Sequence, residues 1–203
     1  LFYLNASKSR ITYAYGILME KGDRLMYSDY YKSRNYYSKS LDLFVISRNY
    51  LFNALEVKYE NFPQRIRNRE EIDFEKEDID YLYWLSGSLA GSIQASQGDP
   101  QYLIDLPNIK WLLENAIAVD PNWQNGTLSA AMMSVYLNDL SGDKNAQKKA
   151  LSYFDLAEKQ SNGLNASIYV TLAENYAVSK QNKQLFIELL DKAINIDVNR
   201  DKS

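Results

Sequence analysis

Apolar residues recur along this chain at helical spacing. In residues 43–63, "LFVISRNYLFNALEVKYENFP", apolar or small side chains stand at i, i+4, i+7 and i+8, which places them on one face of a helix. The members of this face are Leu43, Phe44, Ser47, Tyr50, Leu51, Ala54, Leu55, Tyr59 and Phe62. Pro63 follows them, and it is predicted to end the helix because proline cannot continue a helix interior.

Helical spacing and helix breakers together predict helices along most of the chain and no strand flanked by hairpin turns. A break is predicted at Gly22-Asp23, Asp78 is predicted to cap the start of a helix, and Asp120-Pro121 is predicted to stop another. The predicted helices cover roughly 3–21, 26–60, 78–98, 107–119, 125–140, 144–161, 166–179 and 182–196.

One helix ending is written twice. The phrase "LLENAIAVDPNW" at 112–123 is similar to "LLDKAINIDVN" at 189–199, and alanines stand at corresponding places in these two phrases and in two further helical segments. These alanines are Ala54, Ala116, Ala157 and Ala193, at intervals of 62, 41 and 36 residues. A regular tetratricopeptide array repeats every ~34 residues. We therefore predict an all-α fold of stacked antiparallel helix pairs, with degenerate tetratricopeptide-like repeats forming an α-α superhelix. Ala116, Ala157 and Ala193 are expected to be buried where helices cross.

The domain organisation follows from this pattern. We expect one helical repeat domain over 1–203, with N-terminal helices over 1–62, a charged connector over 63–77 and a repeat-like core over 78–203. The stretch "PQRIRNREEIDFEKEDID" at 63–80 sets three Arg and one Lys against seven acidic residues. A solvated connector is the predicted role, and an acidic docking strip is the alternative.

Composition narrows the chemistry. The chain has 203 residues, a net charge of −3, no Cys and no His, which excludes disulfides, Cys- and His-based zinc sites, Cys nucleophiles and Ser-His-Asp triads. No apolar run of about 18 residues is present to span a bilayer, and no basic excess favours nucleic acid. We therefore expect no enzyme, no cofactor, no metal and no nucleic-acid partner. Because the chain begins at Leu1 rather than Met, a trimmed or processed chain is expected.

The aromatic residues supply the candidate ligand site. All three Trp fall within 78–140, together with the small residues Gly87 and Gly91 on one helix. We expect this region to border an apolar cavity, with the rings filling a solid core as the alternative. The candidate ligand-binding residues are Tyr81, Tyr83, Trp84, Trp111 and Trp123.

A second aromatic group suggests a protein contact. The stretch "YSDYYKSRNYY" at 27–37 mixes five Tyr with Lys and Arg, and Tyr and Arg are favoured at interface hot spots. Tyr30, Tyr31 and Arg34 are the candidate partner-binding residues. The alternative is an amphipathic helix whose Tyr rings pack while their hydroxyls meet water.

Several segments, in order and spacing, resemble the tetratricopeptide-repeat T component of tripartite ATP-independent periplasmic (TRAP) transporters, the TatT family. The matching pieces are "DIDYLYW" at 78–84, "DLP" at 105–107, "LLENAIAVDPNW" at 112–123, "GDKNAQKKALSYFDLAEKQSNG" at 142–163 and "LAENYAVSKQNKQLFIELLDKAINI" at 172–196. Ser129 stands near the place where the family usually carries a His.

The resemblance implies a periplasmic, usually lipid-anchored accessory protein without catalytic residues. It would bind the solute-binding protein of a TRAP-type transporter and hold a small hydrophobic ligand. Membrane attachment would come only through a lipid anchor absent from this chain, and a homo-oligomer is compatible with the family. The alternative is a generic tetratricopeptide-like scaffold that binds a protein or peptide and has no small-molecule site.

Overall fold

The computed structural model describes residues 1–139, 142–197 and 199, and within these ranges it contains helices and no strand. The predicted all-α, repeat-like class is confirmed. The chain forms two compact units, Leu1–Val119 and Asp120–Ser203. The unit boundary falls at the predicted Asp120-Pro121 stop, while the expectation of one repeat domain over 1–203 stays a prediction. No helix of the described residues has the length and apolarity needed to cross a membrane.

The first unit is built from seven α-helices joined by short turns. A π-helical segment, Ala14–Met19, continues α1 directly into α2, and a 3₁₀ turn, Lys76–Asp78, leads into α5. The α-helices are α1 (Phe2–Tyr13), α2 (Glu20–Leu25), α3 (Tyr30–Glu56), α4 (Phe62–Asn68), α5 (Ile79–Ser96), α6 (Pro100–Leu103) and α7 (Leu106–Val119).

Helix α5 lies at the centre of this unit, packed against α1, α3 and α7. The predicted face of α3 is the buried one, with Phe44, Ser47, Leu51 and Leu55 at most 2% exposed. Gly91 of α5 makes the α3–α5 contact close, since a Cβ atom there would lie 2.4 Å from Phe44 Cε1. A side chain at position 91 would therefore push the two helices apart.

The predicted helix break at Gly22-Asp23 is wrong. Gly22 lies inside α2 and is buried against α3, where its Cβ atom would stand 3.1 Å from Tyr37 Cε2. The hydroxyl of Ser33 also donates to the Gly22 carbonyl over 2.7 Å. The glycine is therefore used for a close helix–helix approach, which is the second common role of a helical glycine beside ending the helix.

Pro63 begins a helix instead of ending one. Helix α3 ends at Glu56, and Pro63 stands in the first turn of α4, where a missing N–H costs no helical hydrogen bond. The carboxylate of Glu56 accepts from the backbone N–H groups of Asn61 and Phe62 at 2.9 and 2.7 Å. Along residues 63–77 the charged side chains are mostly exposed while Ile66, Ile72 and Phe74 are buried, and the connector role stays a prediction.

The second unit contains two helix pairs. In the first pair, a 3₁₀ turn, Trp123–Gly126, leads into α8 (Thr127–Leu137), and α8 packs on α9 (Ala146–Gln160). In the second pair, α10 (Ala166–Leu172) continues as a π-helical segment, Ala173–Ala177, and α11 (Lys183–Ile194) packs against both. The buried cluster of this unit includes Met133, Phe154, Ile168, Leu172 and Leu189.

The alanine prediction holds for two positions of three. Ala116 in the first unit and Ala157 in the second are 0% exposed. Ala193 is only partly buried, and so is Ala54. Helix α11 has Leu189 as its one fully buried residue, so a recurring sequence phrase does not guarantee the same depth of burial.

Candidate functional site

The start of α5 carries three of the candidate ligand-binding residues. Tyr81, Tyr83 and Trp84 are each half-buried there, and the rings of Tyr83 and Trp84 meet edge to face with centroids 5.4 Å apart. Lys8 of α1 places its ammonium 5.9 Å from the Trp84 ring centroid and donates to Asp80 over 2.7 Å. The Lys8 side chain therefore connects α1 to this end of α5, through its contact with the Trp84 ring and its bond to Asp80.

One face of α5 is open beside Gly87. Tyr83, Gly87 and Gly91 stand at i, i+4 and i+8, which places them on the same helix face. No heavy atom lies within 4 Å of the Cβ position that a side chain at 87 would occupy, whereas the Phe44 ring closes the face at Gly91. We call this open position at Gly87, with Tyr15 and Tyr83 beside it, the tyrosine cleft.

Tyr15 reaches the tyrosine cleft from the π-helical segment. Its hydroxyl donates to the Gly87 carbonyl over 3.1 Å, and its ring lies 4.7 Å from the Phe44 ring. Burial, with a smaller contribution from the Tyr83 phenol, raises the pKa of Tyr15, and burial also raises the pKa of Tyr83. Both phenols are therefore uncharged at neutral pH and are available as hydrogen-bonding groups.

A different set of rings surrounds Trp111. Its ring meets Phe74 edge to face at 5.8 Å, and Phe74 in turn meets Tyr59 at 5.1 Å and Phe62 at 6.3 Å. Phe62 and Phe74 are at most 7% exposed. Trp111 itself is half-buried on α7 and contacts this ring cluster through Phe74, and its role in ligand binding stays a prediction.

Asp78 is the centre of a polar cluster beside these rings. Its carboxylate, 5% exposed, accepts from Lys58 Nζ at 2.8 Å, from the Tyr59 hydroxyl and from the Glu75 backbone N–H at 2.8 Å. Burial alone would raise the pKa of Asp78, but these donors hold it below its usual value. Burial and the bond to Asp78 raise the pKa of Tyr59 to about 12. Asp78 therefore does not cap α5 as predicted; it caps the preceding 3₁₀ turn and ties it to α3.

The candidate partner-binding residues lie where α2 turns into α3. Tyr30 and Tyr31 are 59% and 87% exposed, and Tyr27 beside them is 98% exposed. Asp29 caps α3 by accepting from the Lys32 backbone N–H at 3.0 Å. We call Tyr27, Tyr30 and Tyr31 the aromatic tip.

Arg34, the third candidate partner-binding residue, is already engaged. Its guanidinium donates to Gln97, at the end of α5. Further along the same helix, Tyr37 is buried and donates to Asp23. The first tyrosines of this stretch thus face solvent and its last one packs, while the partner-binding role stays a prediction.

A family model described as the TRAP transporter T-component (TAtT) matches residues 2–203. The chain belongs to the T-component family. No curated protein matches the chain.

In this T component, Gln160 bridges the turn that precedes α8 and the Ser129 side chain on α8. Gln124, Asn125 and Gly126 have φ angles of 44°, 53° and 89°, three successive left-handed residues. The Gln160 amide donates to the Pro121 carbonyl over 2.7 Å, and its oxygen accepts from the Ser129 hydroxyl over 2.7 Å. A Cβ atom at position 126 would lie 2.8 Å from Gln160 Cβ. Trp123 begins this corner in the second unit.

Two residues of the T component's candidate surfaces were missed by sequence reasoning. Tyr15 was missed because a π-helical segment leaves no trace in apolar spacing, although such segments are frequent at functional sites. Tyr27 precedes α3 and lies outside any helical face, so spacing gave it no role. Its place at the start of the "YSDYYKSRNYY" stretch was the available signal.

Proposed function

We propose that this T component is a non-enzymatic, periplasmic accessory protein of a TRAP-type solute transporter. It binds the solute-binding protein through the aromatic tip and holds a small apolar organic ligand beside α5. Family membership supports the accessory role. The observation that carries the partner contact is the exposure of three neighbouring tyrosines at the tip.

The aromatic tip has the chemistry of a protein-binding surface. Tyrosine provides a large amphipathic contact area with few rotatable bonds, and it is enriched at hot spots. Residues 21–39 contain five basic and two acidic side chains, and both acidic ones are engaged, Asp23 by Tyr37 and Asp29 by the helix cap. Arg24 is paired with Glu20 and Arg34 donates to Gln97, so the tip presents its phenols beside the exposed side chain of Lys32, which suits a partner surface bearing carboxylates.

Binding of the purified solute-binding protein of the same transporter tests this contact. The double variant Tyr30→Ala/Tyr31→Ala is expected to weaken binding about 30-fold, as measured by calorimetry, because it removes two hot-spot side chains. Tyr13→Ala is the matched control, since Tyr13 is also exposed, at 50%, but lies on α1. Equal binding by the double variant and the control would contradict the proposed contact.

The ligand would occupy the tyrosine cleft. The open position at Gly87 provides space, the rings of Tyr15 and Tyr83 provide apolar walls, and their hydroxyls provide orientation, as in small-molecule sites generally. Trp84, three positions before Gly87 on α5, is the candidate tryptophan next to this cleft along the helix. The ligand class is a small hydrophobic molecule with a single polar end.

Tryptophan fluorescence with decanoate as the probe tests the cleft. Wild type is expected to give a saturable change that Gly87→Leu abolishes by filling the cleft. Gln94→Leu, which adds the same side chain at an exposed position of α5, is expected to respond as wild type does. A flat titration of wild type, with the partner still bound, would leave the generic protein-binding scaffold as the function.

A further inference from the structure

Residues 71–75, between α4 and the 3₁₀ turn, form an extended segment with a regular alternation. Ile72 and Phe74 are each 7% exposed, while Glu71, Asp73 and Glu75 face solvent. The segment is held in place by three hydrogen bonds. Arg65 donates to the Glu71 carbonyl at 3.2 Å, Tyr59 donates to the Asp73 carbonyl at 3.4 Å, and the Glu75 N–H donates to Asp78 at 2.8 Å.

These bonds leave one backbone edge of the segment unused. In an extended chain the N–H and C=O groups of alternate residues point to the same edge. The Glu71 carbonyl accepts from Arg65 of α4, and the Asp73 carbonyl accepts from Tyr59, which follows α3. The backbone N–H and C=O groups of Ile72 and Phe74 therefore point to the opposite edge of the segment. Within the described part of the chain, no hydrogen bond reaches the backbone of Ile72 or Phe74. Such an edge is a template for pairing with another extended chain.

A groove of about 540 Å³ lies along this segment, bounded on its other side by the last turn of α7. Its lining combines apolar groups of Ile72, Phe74, Ala118 and Val119 with the charged side chains of residues 73, 75 and 76 and the amide of Asn115. The groove can therefore accept both a backbone and alternate side chains.

The charges at the groove favour a basic occupant. Glu71 and Asp73 make no ion pair with any described residue, and Glu77 adds a further exposed carboxylate. The C-terminus of α7 adds partial negative charge, and no basic residue stands in its last turn to offset it. Lys76 is the cation of the lining, while Glu75 is already paired with Lys58 at 2.8 Å.

We propose that this groove docks an extended, Lys- or Arg-bearing segment of a partner protein, which pairs as a short strand with the free edge of Ile72 and Phe74. Backbone hydrogen bonds would supply affinity, and Asp73 and Glu71 would select basic side chains, as in other cases of strand addition. The contact is separate from the aromatic tip. Helix α3 has 27 residues and spans about 40 Å between the two places, so the proposal stands whether or not the tip binds the solute-binding protein.

The probe is a fluorescein-labelled peptide, Lys-Val-Lys-Val-Lys-Val-Lys, titrated with the full chain and followed by anisotropy. Asp73→Lys and Ala118→Arg, which both place a cation at the groove from exposed positions, are each expected to weaken binding about tenfold or more. Asp42→Lys is the matched control for Asp73→Lys, since Asp42 is an exposed aspartate on α3 and the two substitutions change the net charge equally. It is expected to bind the peptide nearly as wild type does.

Amide hydrogen exchange provides the second readout. Bound peptide is expected to slow exchange at the Ile72 and Phe74 amides and not at Asp73, whose N–H points to the opposite edge. Equal weakening by Asp42→Lys, or unchanged exchange at both amides, would overturn the proposal. Equal binding of Glu-Val-Glu-Val-Glu-Val-Glu would overturn the charge selection. Self-association of the chain that Asp73→Lys abolishes, seen by sedimentation without peptide, would show that a second copy is the occupant and overturn the partner assignment.

Discussion

The two ends of α3 use the same kinds of side chain in opposite ways. Just after the C-terminal end, Lys58 and Tyr59 are bound to the buried carboxylate of Asp78, and Phe62 and Phe74 are buried beside them. At the N-terminal end, Tyr30 and Tyr31 face solvent and the nearby acidic groups are occupied within the chain. The difference shows that an aromatic and basic composition does not by itself mark a binding surface. The proposed binding surface differs from the buried end in having no internal partner that buries its rings.

The largest expected effect comes from removing a ring at the buried end. Phe62→Ala should lower the free energy of unfolding of the first unit by about 3–5 kcal/mol, because the side chain is fully buried and leaves a cavity. Tyr31→Ala at the other end should change it by no more than about 0.5 kcal/mol. Urea unfolding followed by tryptophan fluorescence in a Trp123→Phe background reports on the first unit alone. Similar losses in the two variants would remove the distinction between the ends.

A smaller effect is expected from the carboxylate that holds the buried end together. Asp78→Asn should lower the free energy of unfolding by about 1–3 kcal/mol at neutral pH, since it weakens hydrogen bonds with Lys58 and Tyr59. The pKa of Asp78 is lower in the folded chain than in the unfolded one, so the unfolded chain binds the proton more readily. Its contribution is therefore present above about pH 4 and is lost as the pH falls through the folded value. Wild type should lose more stability than Asp78→Asn between neutral and acidic pH, and parallel curves would contradict this.

The smallest effect concerns Tyr37, which is buried on α3, and Tyr59, which is half-buried just after the end of α3. Burial and a carboxylate partner raise the pKa of Tyr37, beside Asp23, and of Tyr59, beside Asp78, to about 12. Because the folded values are raised, both groups support the folded state below about pH 10 and lose that support as the pH approaches 12. Tyr37→Phe and Tyr59→Phe should each remove one late-ionising phenol from the absorbance titration. Loss of an early-ionising phenol instead would show that the side chain is not held by its carboxylate.

Helix positions and the family could be predicted because they depend on information close together in the chain. The face of α3 that includes Phe44 and Leu51 was correct, since apolar spacing reports which side of a helix is buried. Errors arose where one residue type has two local roles. Gly22 and Pro63 were both assigned as helix ends, whereas the first allows Tyr37 to approach and the second starts α4.

The candidate sites were predictable only as groups of residues. The sequence placed Tyr83 and Trp84 on one helix, but the cleft beside them requires Tyr15, which reaches Gly87 from 72 positions upstream. Likewise, Tyr30 and Tyr37 stand in the same Tyr-rich stretch, and the sequence does not show that Tyr37 packs against Gly22 of the neighbouring helix while Tyr30 stays exposed.

The spacing of apolar residues within about one helical turn was enough to predict an all-α fold. Composition excluded Cys and His chemistry, and the order of the sequence segments was enough to indicate the T-component family. The pairing of Asp78 with Lys58, the open position at Gly87 and the unpaired backbone edge at Ile72 and Phe74 depended on packing. The physical reason is that periodicity identifies the apolar face of each helix separately. Which faces meet, and which polar groups are left without a partner, is settled only when helices distant in the chain compete for the same neighbours.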